Sequence, residues 1–176
     1  MKIGLKTETH NILHHWREAV PNDRLAHLIR DTERAFRRAL QIRLAAYGVP
    51  FGHWSFLRIL WEADGLTQKE LSARAGVMEP TTFAAMKAME ALGYIRRKQL
   101  PTNRKNVYVH LTAKGRALKQ RLVPLAEDTN RISTTNLDAT DLATTRRVLL
   151  AMIVNLARDE LAHAESPHGK TGARAK

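Results

Sequence analysis

The stretch Leu66–Arg97, LTQKELSARAGVMEPTTFAAMKAMEALGYIRR, holds two short helical patterns split by a glycine and closed by a basic run. Thr67-Gln68-Lys69-Glu70 has capping-box spacing: the Thr67 hydroxyl accepts from the Glu70 amide, and the Glu70 carboxylate reaches back to the cap amide. The helix it opens is short and stops at Gly76, which takes the left-handed end conformation without a Cβ clash. Pro80 suits the first turn of the second helix, where a missing N–H leaves no bond unmade. That helix is expected to run to about Leu92, with Gly93 as its stop.

Downstream, YIRRKQLPTNRKNVYVHLT changes period. Val107, Val109 and Leu111 alternate with Tyr108 and His110, as in a strand with one buried face, and Tyr94 and Ile95 can pair with them. QLPTNRKN between them is polar and turn-rich, which predicts a β-hairpin with a long basic tip. Thr112 caps a long helix, and Pro124 is expected to kink it.

Upstream, HNILHHWREAV reads as a short amphipathic helix that Pro21 interrupts, with Asn22 or Asp23 capping its successor. Leu25, Leu28, Ile29, Phe36, Ala39 and Leu40 keep helical spacing toward Tyr47 and Gly48. A further helix runs from about Gly52 to Ala63, and ADGLT after it is a turn. The last helix, from about Asp141 to Ala164, is apolar on more than one side: Leu142, Leu149, Met152, Ile153 and Leu156, with Val148, Leu150 and Val154 beside them. Such a helix needs cover on nearly all sides, which one subunit of this size does not offer, so a dimer interface is expected. The polar tail SPHGKTGARAK reads as disordered.

Charge is unevenly spread. The chain carries a net +12. From Ala91 to Ala126 there is no Asp or Glu, while nine Lys or Arg stand there: Arg96, Arg97, Lys98, Arg104, Lys105, Lys114, Arg116, Lys119 and Arg121. A solvated surface would mix both signs, so the block points to a polyanion, and nucleic acid above all. The absence of cysteine removes disulfides and thiol chemistry. MKIGLKTETHN lacks the apolar core of a signal peptide, and VLLAMIV at Val148–Val154 is too short to span a bilayer, so a cytoplasmic protein without membrane contact is expected. No P-loop, nucleophile elbow, dinucleotide fingerprint or paired-carboxylate pattern is present, so neither an enzyme nor a cofactor is expected. His10 and His14 share a helix face at a spacing that zinc accepts. No cysteine or further ligand follows, so an exposed polar arm and no metal site are expected.

A tight helix pair followed by a hairpin is a winged helix-turn-helix. The second helix is slim enough for the major groove, the first fixes its angle, and the hairpin places cations on phosphate or in the minor groove. The motifs resemble the MarR family of bacterial transcription regulators. LTQKELSARAGV resembles the first helix of the pair, EPTTFAAMKAMEALGYIRR the recognition helix and entry to the wing, and LPTNRKNVYVHLTAKG the wing and the start of the following helix. The resemblance implies a mainly α fold: a winged helix-turn-helix lobe with a small β-hairpin wing, flanked by N- and C-terminal helices that form a dimerisation domain. The expected divisions are residues 1–48 for the N-terminal arm and helix, 49–115 for the DNA-binding lobe, 116–164 for the dimerisation helices and 165–176 for the tail.

The resemblance also implies a homodimer on a near-palindromic operator in double-stranded DNA, acting as a repressor. The DNA-contacting set would be Thr67, Gln68, Pro80, Thr81, Phe83, Ala84, Lys87, Arg96, Arg97, Asn103, Arg104 and Lys105. In the family's wing an acidic residue stands two positions before an arginine; here Asn103, Arg104 and Lys105 replace that pattern, and either cation can enter the minor groove. Met78 and Ala84 stand where the family often has Ser or Asp, and Arg. If Thr82, Met86 and Met89 face the core, Phe83 faces outward toward thymine methyl groups; the alternative turns Phe83 inward and Thr82 outward. Family members also bind a small effector beside the dimerising helices. The matching region holds Trp16, Arg43, Tyr47, His53, Trp54, Phe56, Arg58 and Trp61, suited to an aromatic acid or its thioester, although aromatic residues at this spacing equally serve as core. A non-specific architectural nucleic-acid binder without effector is the other reading that the basic block permits.

Overall fold

A computed structural model describes residues 7–18, 25–100 and 103–165, with only the backbone described at Glu8, Glu18, Leu100, Asn103, Arg104, Lys105 and Glu165. The Asn22 or Asp23 cap and the tail expected to be disordered both fall outside these residues. Seven helices and three strands follow in the order α1 (Thr7–Glu18), α2 (Leu25–Ala45), α3 (Phe51–Glu62), β1 (Leu66–Thr67), α4 (Gln68–Ala75), α5 (Glu79–Ala91), β2 (Ile95–Leu100), β3 (Asn103–Leu111), α6 (Ala113–Ser133) and α7 (Ala139–Glu165). They divide into two compact units, one ending at Ser133 and the other beginning at Thr134. Among the described residues no helix is long and apolar enough to cross a membrane.

The first unit has one core. Leu57 and Leu60 of α3, Leu71 of α4, Met86 and Met89 of α5, Val109 of β3 and Leu122 of α6 are all but fully buried within it. Aliphatic burial on this scale supplies most of the folding drive, at about 25 cal/mol per Å² of apolar surface removed from water.

The loop before α4 differs from the expected plain turn. Leu66 and Thr67 pair with Val109 and Tyr108, so the sheet has three antiparallel strands in the order β1-β3-β2. Leu66 is buried on the Val109 side, and that burial favours a strand over a free turn. Asp64 secures the junction: Oδ1 accepts from the Gly65 amide at 3.0 Å and the Leu111 amide at 2.8 Å, while Oδ2 accepts from Arg116 Nη1 at 3.0 Å.

The hairpin also differs from expectation. Pairing runs from Ile95↔Leu111 out to Leu100↔Asn103, with an irregularity at Gln99/Leu100, so the turn is short and the cations stand on strands rather than on a long tip. Long basic side chains are stable on an exposed ribbon because their charged ends stay in water. Helix α6 continues through Pro124 as one element.

α7 forms the second unit's helix. Asp138 Oδ1 accepts from the Thr140 amide at 2.7 Å near its start. Its stripe at Leu149, Ile153 and Leu156 is exposed, as are Leu150, Val154 and Leu161.

Candidate nucleic-acid interface

The helix-turn-helix is held by contacts between residues close in sequence. The Thr67 hydroxyl accepts from the Glu70 amide at 3.2 Å, and Glu70 Oε2 accepts from the Thr67 amide at 2.7 Å, completing the capping box. Its hydrogen bonds to Thr67 hold the Glu70 carboxyl below its ordinary range. Gly76 ends α4 with φ +63°, in the left-handed region that glycine enters freely. Across the turn, the buried Ser72 hydroxyl donates to the buried Thr82 Oγ1 at 2.7 Å. This bond ties α4 to α5, and sequence spacing alone offered no signal for it.

The orientation of α5 follows. Thr82, Met86 and Met89 are buried, while Phe83 is 54% exposed, so the outward placement of Phe83 is the one found. Pro80, Thr81, Ala84 and Lys87 are exposed with it. Met78, which precedes α5, is 75% exposed.

The described cations of the basic block, on the wing and on α6, fall into two groups. Arg97 shares a strand face with the buried Ile95 and turns toward α5, where its backbone amide donates to Glu90 Oε1 at 2.9 Å and its Nε to Oε2 at 2.8 Å. Its guanidinium also lies 5.8 Å from the Phe83 ring centroid. The bonds from Arg97 hold the Glu90 carboxyl below the usual range. Lys114 Nζ donates to the Leu92 carbonyl at 2.9 Å, closing the end of α5, and Arg116 is bound to Asp64. By contrast Arg96, Lys98, Lys119 and Arg121 are exposed and have no partner among the described residues. The basic block is thus partly structural cement and partly free charge. The side chains of Asn103, Arg104 and Lys105, which the sequence places at the wing's leading edge, lie outside the described residues.

The aromatic set separates similarly. A cavity of about 610 Å³ opens among α2, α3 and α6, lined by Phe36, Phe51, Trp54, Trp61, Arg58 and Lys119, among others. Trp54 and Trp61 meet edge-to-face, with ring centroids 5.7 Å apart. Trp61 Nε1 donates to the Gly115 carbonyl at 3.0 Å, so one wall is fixed to the start of α6. Glu33, Glu62 and Glu127 also line the cavity beside Arg37, Arg58 and Lys119. The lining is therefore charge-balanced rather than cationic.

Of the other aromatic candidates, Phe56 is a core residue at 3% exposure and is not in that lining, and neither are Arg43, Tyr47 and His53. The helical spacing that suggested a wall instead sends Phe56 inward. Arg43 Nη1 donates to the Ala39 carbonyl within its own helix at 2.8 Å. Trp16 lines a separate cavity of about 440 Å³ between α1, α2 and α6, and its Nε1 donates to Asp31 Oδ2 at 3.3 Å. His53 Nδ1 is buried without a hydrogen-bond partner among the described residues, and burial pushes its pKa below the ordinary 6.5. Among the described residues no cluster of His, Asp or Glu is arranged to hold a metal ion.

A capped helix pair, an outward second helix and a three-stranded wing define a winged helix-turn-helix protein. Residues 52–107 match the model of the MarR family. The chain is 33% identical over 132 residues to the HTH-type transcriptional regulator TtmR of Methylorubrum extorquens (strain PA1), an alignment covering 75% of this chain and 64% of that protein. It thus spans slightly under two thirds of that relative's length. A MarR family regulator from Listeria monocytogenes, solved with a 26mer DNA, superposes with a TM-score of 0.69 at 22% identity, covering 86% of this chain and 97% of the other. BpsR of Bordetella bronchiseptica, whose DNA binding is regulated by 6-hydroxynicotinic acid, gives 0.68 at 19% identity, covering 74% and 98%. Residues 52–107 thus form a MarR family domain with the winged-helix fold.

Proposed function

We propose that the chain is a transcriptional repressor that binds near-palindromic double-stranded DNA as a homodimer and is released by a small aromatic effector. The observation that carries the DNA reading is the outward face of α5 beside Arg96 and Lys98 on the adjoining strand, both exposed and without a partner among the described residues. A slim helix can enter the major groove while cations beside it replace counterions on phosphate. Thr67 and Gln68 at the start of α4, Thr81 and Lys87 on α5, and Arg104 and Lys105 on β3 complete the proposed contacts. Arg97 acts mainly by positioning, because Glu90 already holds it.

Dimerisation is supported by the exposed apolar stripe of α7, since patches of that kind on a soluble protein mark association surfaces. Two recognition helices related by a two-fold axis would address half-sites about one helical turn apart. The effector reading is supported by the aromatic cavity beneath α2. Its balanced charges favour a planar ring bearing both donor and acceptor groups over a simple anion, and 6-hydroxynicotinic acid is a suitable first probe. Such a ligand releases DNA only by its differential affinity for the two dimer states.

One feature favours the architectural alternative: α5 contains no Arg, Asn or Gln for bidentate base contacts. Titration of a selected duplex and a random duplex at fixed salt separates the two readings. A regulator should prefer the selected site by about a thousandfold or more. A ratio near one would leave only the architectural reading. Arg96→Ala and Lys98→Ala should each reduce the salt slope by about one unit, whereas Arg97→Ala should change it less.

A further inference from the structure

The reading of α5 as the DNA probe leaves open which base chemistry it recognises. Successive helical residues turn by about 100°. Burial of Thr82, Met86 and Met89 therefore turns Pro80, Ala84 and Lys87 to the opposite side, with Phe83 on the flank it shares with Glu90. Purine edges are read bidentately by Arg or Lys on guanine and by Asn or Gln on adenine. Lys87 is the single such residue within α5. It lies in the second half of the helix, behind the N-terminal residues that usually meet base edges.

The leading end carries apolar side chains beside the exposed Glu79 and Thr81. Met78 and Phe83 expose most of their surface, and Pro80 and Ala84 lie beside them. Among the described residues of 49–115, Met78 and Phe83 are the most exposed large apolar side chains, at 75% and 54%, and exposed apolar surface of this kind marks contact sites. Phe83 is also held in place. The Arg97 guanidinium lies over its ring at 5.8 Å, and Glu90 anchors that guanidinium through Nε at 2.8 Å and Nη2 at 2.7 Å. A pinned ring keeps its apolar surface turned outward and loses little rotamer freedom on contact.

The major groove offers one apolar group, the C5-methyl of thymine, which 5-methylcytosine also carries. We propose that α5 reads C5-methyl groups through Phe83, Met78 and Ala84. Recognition then depends on thymine methyls at a few fixed positions and responds to cytosine C5 methylation there. This rests on the DNA-binding reading above and adds to it the chemistry of the discriminated base.

The test begins with the full chain selecting a duplex from a randomised library. That duplex is remade with each thymine replaced singly by deoxyuridine, and with a C·G pair at each sensitive position, the cytosine either plain or 5-methylated. Deoxyuridine at one or two positions per half-site should weaken binding about fourfold each, and roughly fifteenfold when both half-sites are changed. At the same positions, 5-methylcytosine should bind about fourfold tighter than cytosine. Phe83→Ala or Met78→Ala should bring the thymine-to-deoxyuridine ratio toward one at the affected positions.

Three results would overturn the proposal while leaving DNA binding intact. They are no loss with any deoxyuridine, a loss spread evenly along the A·T pairs as duplex stiffness would give, and an unchanged ratio in both variants. Failure of the library to enrich at all would overturn the sequence-specific reading itself, and the methyl proposal with it.

Discussion

Leu57 and Met89 in the first unit lose all contact with solvent, whereas Ile153 and Leu156 of α7 keep 63% and 65% of theirs. Both regions are rich in aliphatic residues, so composition does not separate them. What separates them is the packing each finds within its own unit. The first unit closes its core with residues drawn from α2 through α6, and ties its turns with side-chain bonds such as Asp64 to the Leu111 amide. The described residues of α7 present an apolar stripe to solvent. The first region is stabilised from within, while the second carries apolar side chains that stay exposed.

The comparison breaks most readily at α7. Ile153→Glu would place one carboxylate per protomer in the proposed dimer interface, at roughly 3–5 kcal/mol for each unpaired buried charge. Sedimentation should show monomers at micromolar concentration, with the core transition of the first unit retained. A dimer of wild-type affinity would remove that stripe from the interface. Within the first unit the sharpest steric test is Gly115, where an added Cβ would lie 2.0 Å from the Tyr94 carbonyl oxygen and 3.1 Å from Leu111 Cδ2. Gly115→Ala forces β2 and α6 apart, and overpacking of this kind costs about 1–3 kcal/mol or more. The midpoint of urea unfolding should fall accordingly, and an unchanged midpoint would mean that the junction yields freely.

Part of this contrast was legible in the sequence. The capping box, Gly76 and Gly93 marked the helix pair, because local backbone chemistry acts over three or four residues. Alternation in Val107–Leu111 marked β3, whereas the sequence left two orientations of Phe83 open and the burial of Thr82, Met86 and Met89 decides for the outward one. What escaped were pairings set by tertiary contact. β1 is only Leu66–Thr67, too short to carry a period, and it exists because Val109 lies opposite. Likewise Phe56 joined the aromatic candidates by its neighbours in sequence, yet helix rotation sends it into the core. The acid-free basic block reads as one surface, but Glu90 and Asp64 from outside it, and the Leu92 carbonyl within it, engage Arg97, Arg116 and Lys114.

A smaller effect is expected at the turn between α4 and α5. Thr82→Val preserves shape but removes the acceptor that the buried Ser72 hydroxyl uses. Leaving that group unpaired costs about 1–3 kcal/mol. Pairing the substitution with Ser72→Ala should recover much of the loss, since neither hydroxyl then remains to be satisfied. The double-mutant cycle reads the coupling directly. If Thr82→Val and the double variant were equally destabilised, the bond would be incidental to the geometry of the turn.

The smallest expected effect concerns pH and His53. Burial disfavours its imidazolium and leaves Nδ1 without a partner among the described residues. The folded chain therefore binds this proton less readily than the unfolded chain does. Above the ordinary value of 6.5 both states hold a neutral ring and His53 adds no pH dependence. As pH falls through that value the unfolded state takes up the proton first, so stability declines until the folded-state pKa is also passed. His53→Gln removes the titration while keeping a polar side chain. Between pH 7.5 and 5.5 the wild-type urea midpoint should drop further than that of the variant, the remaining slope being due to other groups. Parallel slopes would mean that the ring is hydrated or free to turn outward in the folded state, and that its burial does not bear on stability.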